Sequence, residues 1–354
     1  MKVRSLTFLV PASFLRDFSQ ITPFIHDVIN EVSKKYNLDV WSLRLAINPQ
    51  NLRNLISFID FLDGVSEHFD YYAVPVVYNS SFDIDLIISL LKDYDKMFFS
   101  MFGGYSSFKA FRDLLVSVGN KLSLDCFIRL SFSVDNPIIT PYFPSASAGK
   151  DIMLTASFLY VNDLLEAVKR SRSISETIFR CFKRVEEFVI EIANYLKINS
   201  IVFDLSISPW MEESVVDLIE VYGGIKFNDI GTLNSIYQIN KSIMEVTSKG
   251  EFFIGFNELM LPYAEDLRLM LLGSKGVISA YDLLHLSSVC VAGFDMAVLP
   301  KINMDLLDLF LLDVYSLLKA KSKPCGFRIV LSDREYGDNI DLGFLGRVPI
   351  MKLH

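Results

Sequence analysis

Histidine is scarce in this chain: His26, His68, His285 and His354 are the only four among 354 residues. They are scattered, with no HExxH or paired spacing, which argues against a zinc site built on nitrogen and sulfur ligands. Cysteine is as sparse. Cys126, Cys181, Cys290 and Cys325 lie far apart without a CxxC, so reduced thiols in a cytoplasmic chain are expected. Positive charge is short too, with 34 Lys and Arg against 42 Asp and Glu and a net charge of −8. That excludes the basic face of a nucleic-acid binder, and no basic run is interleaved with aromatics. Long apolar runs are also missing. No window holds the roughly 20 uninterrupted apolar residues of a membrane span, and even Leu306–Leu318 carries Asp308 and Asp313. The apolar start SLTFLV ends at Pro11, too short for the core of a secretion signal. No GxGxxG occurs, and SAGK (Ser147–Lys150) lacks the first glycine of a Walker loop and has Asp151 where Ser or Thr should stand.

What the chain has in excess is apolar bulk. Hydrophobic residues make up 51% and charged residues 21%, with 29 Phe and a mean hydropathy of +0.34. Such a composition builds a large core and leaves apolar surface to bury between subunits, so a homo-oligomer is expected.

The periodicity reads as alternating strands and helices. Strands are expected at Lys2–Val10, Asp39–Ile47, Tyr71–Val77, Lys96–Phe102 and Cys126–Val134. A second set is expected at Ile152–Tyr160, Ser200–Ser206, Phe252–Asn257, Ser288–Leu299 and Gly326–Ser332. Helices fill the gaps, among them Ser13–Lys35, Asn51–Phe69, Asn162–Leu196 (broken near Ser171–Ser175), Glu212–Val221, Thr232–Val246 and Leu261–Leu272. Ser13, Asn51, Ser175 and Thr232 read as N-caps, and Pro23 would kink or split the first helix. Five strands precede the proline-rich loop Pro137–Gly149 and five follow it. The expected fold is therefore α/β: one ten-stranded barrel made of half-barrels 1–136 and 150–354 joined by loop 137–149, mainly parallel with helices outside.

Three polar, acidic segments interrupt the apolar background: DLSISPWMEES (Asp204–Ser214), GFNELMLPYAED (Gly255–Asp266) and SSVCVAGFDM (Ser287–Met296). Each lies at or within a short β-rich run, where α/β proteins place ligand-binding groups. Glu212, Glu213, Glu258, Glu265, Asp266 and Asp295 offer hard oxygen ligands for magnesium or calcium, or an acid–base pair; the alternative role for Glu212 and Glu213 is to complement a helix dipole. Cys290, in VCVAG, reads more readily as inert core than as a nucleophile, since His285 is poorly spaced to activate it. Gly103–Gly104 before a helix reads first as a permissive turn, then as an anion-binding helix start.

These segments, with GTLNSIYQIN (Gly231–Asn240) and DLGFLGRVPIM (Asp341–Met351), resemble the uncharacterised family known as domain of unknown function 711, in its compact, archaeal-type form. Weaker likeness runs through SMFGGYSSF (Ser100–Phe108) and the loop ending at Gly149. The resemblance implies the ten-stranded α/β barrel of pyruvate formate-lyase-like, glycyl-radical enzymes. It does not imply their chemistry: the tail reads GRVPIM, without the radical glycine, and Cys290 has no such partner. Positions matching the family's motifs are Asp204, Ser206, Glu212, Ser214, Gly231, Thr232, Asn240, Glu265, Asp266, Cys290, Asp295, Gly343 and Gly346. The expected function is an enzyme acting on a small polar metabolite in a central pocket. Glu265, Asp266 and Cys290 are the candidate catalytic residues, with Asp204, Ser206, Glu212, Thr232, Asn257, Glu258 and Asp295 around the ligand and a divalent metal as one role for the carboxylates. The alternatives are a non-catalytic small-molecule sensor, which the family's association with an amino-acid-sensing ACT-domain protein favours, and a structural oligomer.

Overall fold

The computed structural model describes residues 1–290 and 294–354. Its strands are β1 (Lys2–Leu9), β2 (Leu43–Ala46), β3 (Tyr71–Val77), β4 (Met97–Gly103), β5 (Leu130–Val134), β6 (Met153–Leu159), β7 (Ser200–Phe203), β8 (Ala297–Leu299), β9 (Gly326–Phe327), β10 (Ile329–Leu331), β11 (Asn339–Asp341) and β12 (Arg347–Pro349). Eight of them form one sheet in the order β7-β6-β1-β2-β3-β4-β5-β9, while β10 pairs with β8 and β11 with β12. The first five run parallel in chain order, as helical crossovers require. β6 lies antiparallel to β1, and β7 parallel to β6. The two halves of the chain therefore point in opposite directions at the β1–β6 seam.

The regular sheet is open: its ladder stops at β7 on one edge and β9 on the other. Backbone hydrogen bonds of isolated bridges and loops continue past both edges. Ile254 donates to Phe203 and Met260 to Ile207, Met211 donates to Glu265, Tyr263 to Asp295, and Met296 to Arg328. The expected strand Phe252–Asn257 is thus irregular chain with one bridge to Phe203. The expected strand Ser288–Leu299 is regular only at β8, and its residues 291–293 lie outside the described residues.

β4 is buried over most of its length, as its near-continuous apolar run leads one to expect; β1 is buried as well although Arg4, Ser5 and Thr7 lie within it. Outside, amphipathic helices press one stripe inward. Ile174–Leu196 buries Ile178, Val185, Phe188, Val189 and Ile192, spacings that recur on one helical face. The break before this helix falls where expected, but Ser173 caps it, not Ser175. Asn51 caps Leu52–Ser66 as expected. Pro23 sits in the first turn of Thr22–Tyr36, where its missing N–H costs nothing. Ser13 lies inside a 3-10 turn and caps no helix. Thr232 is the first helical residue behind a capping Gly231 (φ 107°). The helix expected from Glu212 starts at Val215, capped by Ser214. Among the described residues no helix is long and apolar enough to cross a membrane.

Candidate functional site

A cavity of about 220 Å³ opens among the amino ends of β1 to β5 and the segments that follow β7. The seam explains why these meet: with the second half reversed, the end of β7 lies at the same rim as the starts of β1 and β2. Arg4 comes from β1, Arg44 from β2, Tyr71 from β3, Phe98 from β4 and Ser131 from β5. Ser208, Trp210, Glu265, Asp295 and Arg328 complete the opposite wall, and Tyr142 to Ser145 of the proline-rich loop close one side.

Three arginines set the electrostatics. Arg4 donates Nη1 to Ser208 Oγ and to the Pro209 carbonyl (2.9 Å), and Nη2 to Glu265 Oε2 (2.5 Å). Arg328 grips Asp295 with Nε (2.6 Å) and Nη2 (2.9 Å), and Nη2 also reaches Glu265 Oε1 at 3.0 Å. Glu265 thus carries a guanidinium on each oxygen. Burial alone would push its carboxyl up, but Arg4 and Arg328 outweigh burial and hold it down at about 2. Asp295 goes the other way: burial raises it, against the attraction of Arg328. The same carboxylates lift Arg328 above its ordinary value despite burial.

Arg44 differs. Its Nε donates to Ser42 Oγ at 2.9 Å and its guanidinium lies 5.2 Å from the Phe143 ring centroid. No carboxylate among the described residues forms an ion pair with it, although Asp70 lines the exposed rim. Burial, then repulsion from Arg4, brings its pKa down to about 10, which leaves it charged at neutral pH. Arg4 Nε is also buried without a hydrogen-bond partner.

Of the ten candidate residues, the structure brings two to this cavity, Glu265 and Asp295. Asp266 does not line it. Its Oδ1 accepts from the backbone of Arg268 and Leu269, and its Oδ2 from Ser214 Oγ and Val215 N. It thereby caps Leu267–Ser274 and ties down the start of Val215–Gly223. Asp204 is a buried clasp, accepting from Thr140, Ser206 and the backbone of Phe256 and Asn257. Ser206 belongs to that clasp, and Asn257 (φ 54°) holds Leu205 N with its own side chain. Glu258 is buried between Lys321 (3.0 Å) and Lys323 (2.5 Å). Cys290 is fully buried, and burial pushes its thiol up to about 12, away from nucleophilic use. Thr232 donates to the Asp229 carbonyl, and Glu212 is exposed. Among the described residues no group of three or more His, Cys, Asp or Glu is placed to hold a metal.

The sequence reading missed all three arginines. Arg44 and Arg328 are the lone charges of the short β-rich runs SLRLA and GFRIV, and Arg4 follows Lys2 in KVRSL. That pattern is a usable signal, since a charge inside a doubly covered strand needs a partner. It is not specific: Arg129, in FIRLS, instead donates to the carbonyls of Leu91 and Tyr94.

The family model described as "Uncharacterised ACR (DUF711)" matches residues 127–343. The chain belongs to this family. A UPF0210 protein of Sulfurisphaera tokodaii is 24% identical, in a match that spans all of this chain and 90% of the relative. UPF0210 proteins of Methanococcoides burtonii and a Thermoanaerobacter species are 25% and 21% identical, matched over 52% and 62% of this chain and 42% and 52% of their own lengths.

Proposed function

We propose that the protein binds a small organic anion in this cavity, with Arg44 as its principal receptor. The observation that carries the reading is Arg44 itself: a guanidinium held inside a cavity, hydrogen-bonded only through Nε, with no acidic partner among the described residues. The side chain is partly buried and its fork has no protein acceptor among the described residues, and a ligand carboxylate or phosphate supplies one. Glu265 and Asp295 then serve to position Arg4 and Arg328 rather than to receive the ligand.

A ten-segment barrel would fit this reading. Residues 153–159, 200–211, 252–266, 294–299 and 326–331 form a chain of hydrogen-bonded neighbours that starts beside β1 and ends beside β5, so the cavity would lie inside a broken barrel of the pyruvate formate-lyase type. Free cysteines suit a reducing, cytoplasmic setting.

A binding or sensing role is favoured over catalysis because each Glu265 oxygen is already held by a guanidinium, from Arg4 and from Arg328. The enzyme reading rests on one observation, that Asp295 lines the cavity with its carboxyl raised by burial, as a general acid or base requires. Calorimetric titration with acetate, benzoate, succinate and inorganic phosphate tests binding. Arg44→Gln should weaken the bound anion by about 30-fold or more, and Arg44→Lys less. Unchanged affinity in Arg44→Gln, or no binding of any probe by the wild type, would overturn the proposal. Asp295→Asn separates the two roles: it should retain binding, and should abolish turnover only if the protein is an enzyme.

A further inference from the structure

The polar atoms facing the cavity are largely engaged with one another. Both terminal nitrogens of Arg4 are occupied by Ser208, Pro209 and Glu265, and Arg328 is occupied by Asp295 and Glu265. Ser42 Oγ accepts from Arg44 and donates to the Arg4 carbonyl. The hydroxyls of Ser131 and Ser145 pair at 3.0 Å, and Tyr142 donates to the Ser206 carbonyl at 3.0 Å. What remains for a ligand is chiefly one charged fork, the two terminal nitrogens of Arg44, which have no hydrogen-bond partner among the described residues.

Around that fork the wall is aromatic. Tyr71 neighbours Arg44 across the β2–β3 ladder. Phe98 stands edge-on to both Tyr71 (5.2 Å, 69°) and Phe143 (5.5 Å, 60°), and Phe344 stacks on Tyr71 from the exposed side. The guanidinium over Phe143 is therefore seated in a cluster of π faces with no acid within ion-pair distance.

We propose, resting on the anion-binding reading, that the ligand is a monocarboxylic acid with a flat, aromatic body. Its carboxylate meets the planar Arg44 fork, which matches carboxylate geometry in two parallel hydrogen bonds. Its ring lies against Tyr71, Phe98 and Phe143 in edge or offset contact. Competing classes fit worse for stated reasons. A second carboxylate would find no free guanidinium, because Arg4 and Arg328 are already paired with Glu265 and Asp295. The hydroxyls of a sugar acid would be buried among donors and acceptors already paired, and such loss of water partners discriminates strongly. Size is adequate, since dry cavities of about 150 Å³ already admit benzene.

The test is calorimetric titration of the full chain with benzoate, 3-phenylpropanoate, acetate, glycerate, succinate and inorganic phosphate. At least one ring acid should bind about tenfold or more tightly than acetate or glycerate. Phe98→Leu should weaken the ring acids more than acetate, whereas Arg44→Gln should weaken all carboxylates. Melting curves identify variants that fail to fold, and Arg44→Lys retains the charge if Arg44→Gln does not fold. If glycerate, succinate or phosphate binds as tightly as the ring acids and still depends on Arg44, the aromatic assignment falls and anion binding stands. If no probe binds, or binding ignores Arg44, both fall together.

Discussion

Glu265 and Asp266 are adjacent carboxylates pushed in opposite directions, and the pair predicts a stability profile with two limbs. Burial raises Asp266 to about 6, against hydrogen bonds from Ser214, Leu269, Val215 and Arg268, while an exposed Asp in the unfolded chain titrates near 3.8. The folded state therefore holds that proton more tightly, and stability should rise as pH falls from about 6 to 3.8, by on the order of 3 kcal/mol. Glu265 has the opposite sign. Held at about 2 in the fold against 4.5 unfolded, it contributes stability that is present above 4.5 and lost as pH falls towards 2. Urea unfolding between pH 2 and 7 should show Asp266→Asn flattening the first limb and Glu265→Gln the second. An unchanged slope between pH 4 and 6 in Asp266→Asn would rule out this account of the residue. In the sequence the two acids looked equivalent, because spacing reveals neither the guanidiniums that come from β1 and the β9–β10 run nor the helix start that claims Asp266.

At the scale of elements, long parallel strands were readable to within a few residues, because doubly buried strands are continuous apolar runs. The failures share a cause. Phe252–Asn257 has strand composition, yet Asp204 takes the backbone N–H groups of Phe256 and Asn257 that a ladder would use. The helix Ala280–Leu286 and the β11–β12 hairpin were not foreseen, being too short for periodicity to register. The Asp204 clasp also dictates a glycine. At Gly255 (φ 78°) a Cβ would lie 2.2 Å from Asp204 Oδ2 and 2.9 Å from Thr140 Oγ1. Gly255→Ala should therefore destabilise by about 2–4 kcal/mol, through backbone strain and displacement of a buried carboxylate. A melting temperature equal to wild type would contradict the clasp.

For the molecule as a whole, the reversal at β1–β6 decides where the cavity forms, by bringing five strand starts against the end of β7. Neither half alone supplies the cavity: Arg4 and Arg44 belong to the first, Glu265 and Arg328 to the second. The apolar excess of the sequence has a visible destination on the surface. Ile230 is fully exposed, and Leu233, Tyr237 and Met244 follow it at 48%, 57% and 52% exposure along one face of Thr232–Thr247. We expect this stripe to be buried between copies of the chain. Sedimentation at micromolar concentration should give a species heavier than 40.3 kDa, and Leu233→Glu with Tyr237→Glu should return it to that mass. A wild type that sediments only as the monomer would exclude self-association through this face.

The two tryptophans of the chain, Trp41 and Trp210, both line the cavity and meet edge to face at 4.5 Å between centroids and 70° between planes. Indoles so close share their electronic excitations, so the folded protein should carry an exciton couplet in its ultraviolet circular dichroism. Every tryptophan photon the protein emits originates at the cavity wall, beside Arg4, whose guanidinium lies 5.6 Å from the Trp210 ring. The molecule thus contains its own optical gauge of the site. Any occupant that changes the angle between the two rings should be visible in the couplet without a label, and Trp41→Phe or Trp210→Phe should erase the couplet while leaving a single emitter.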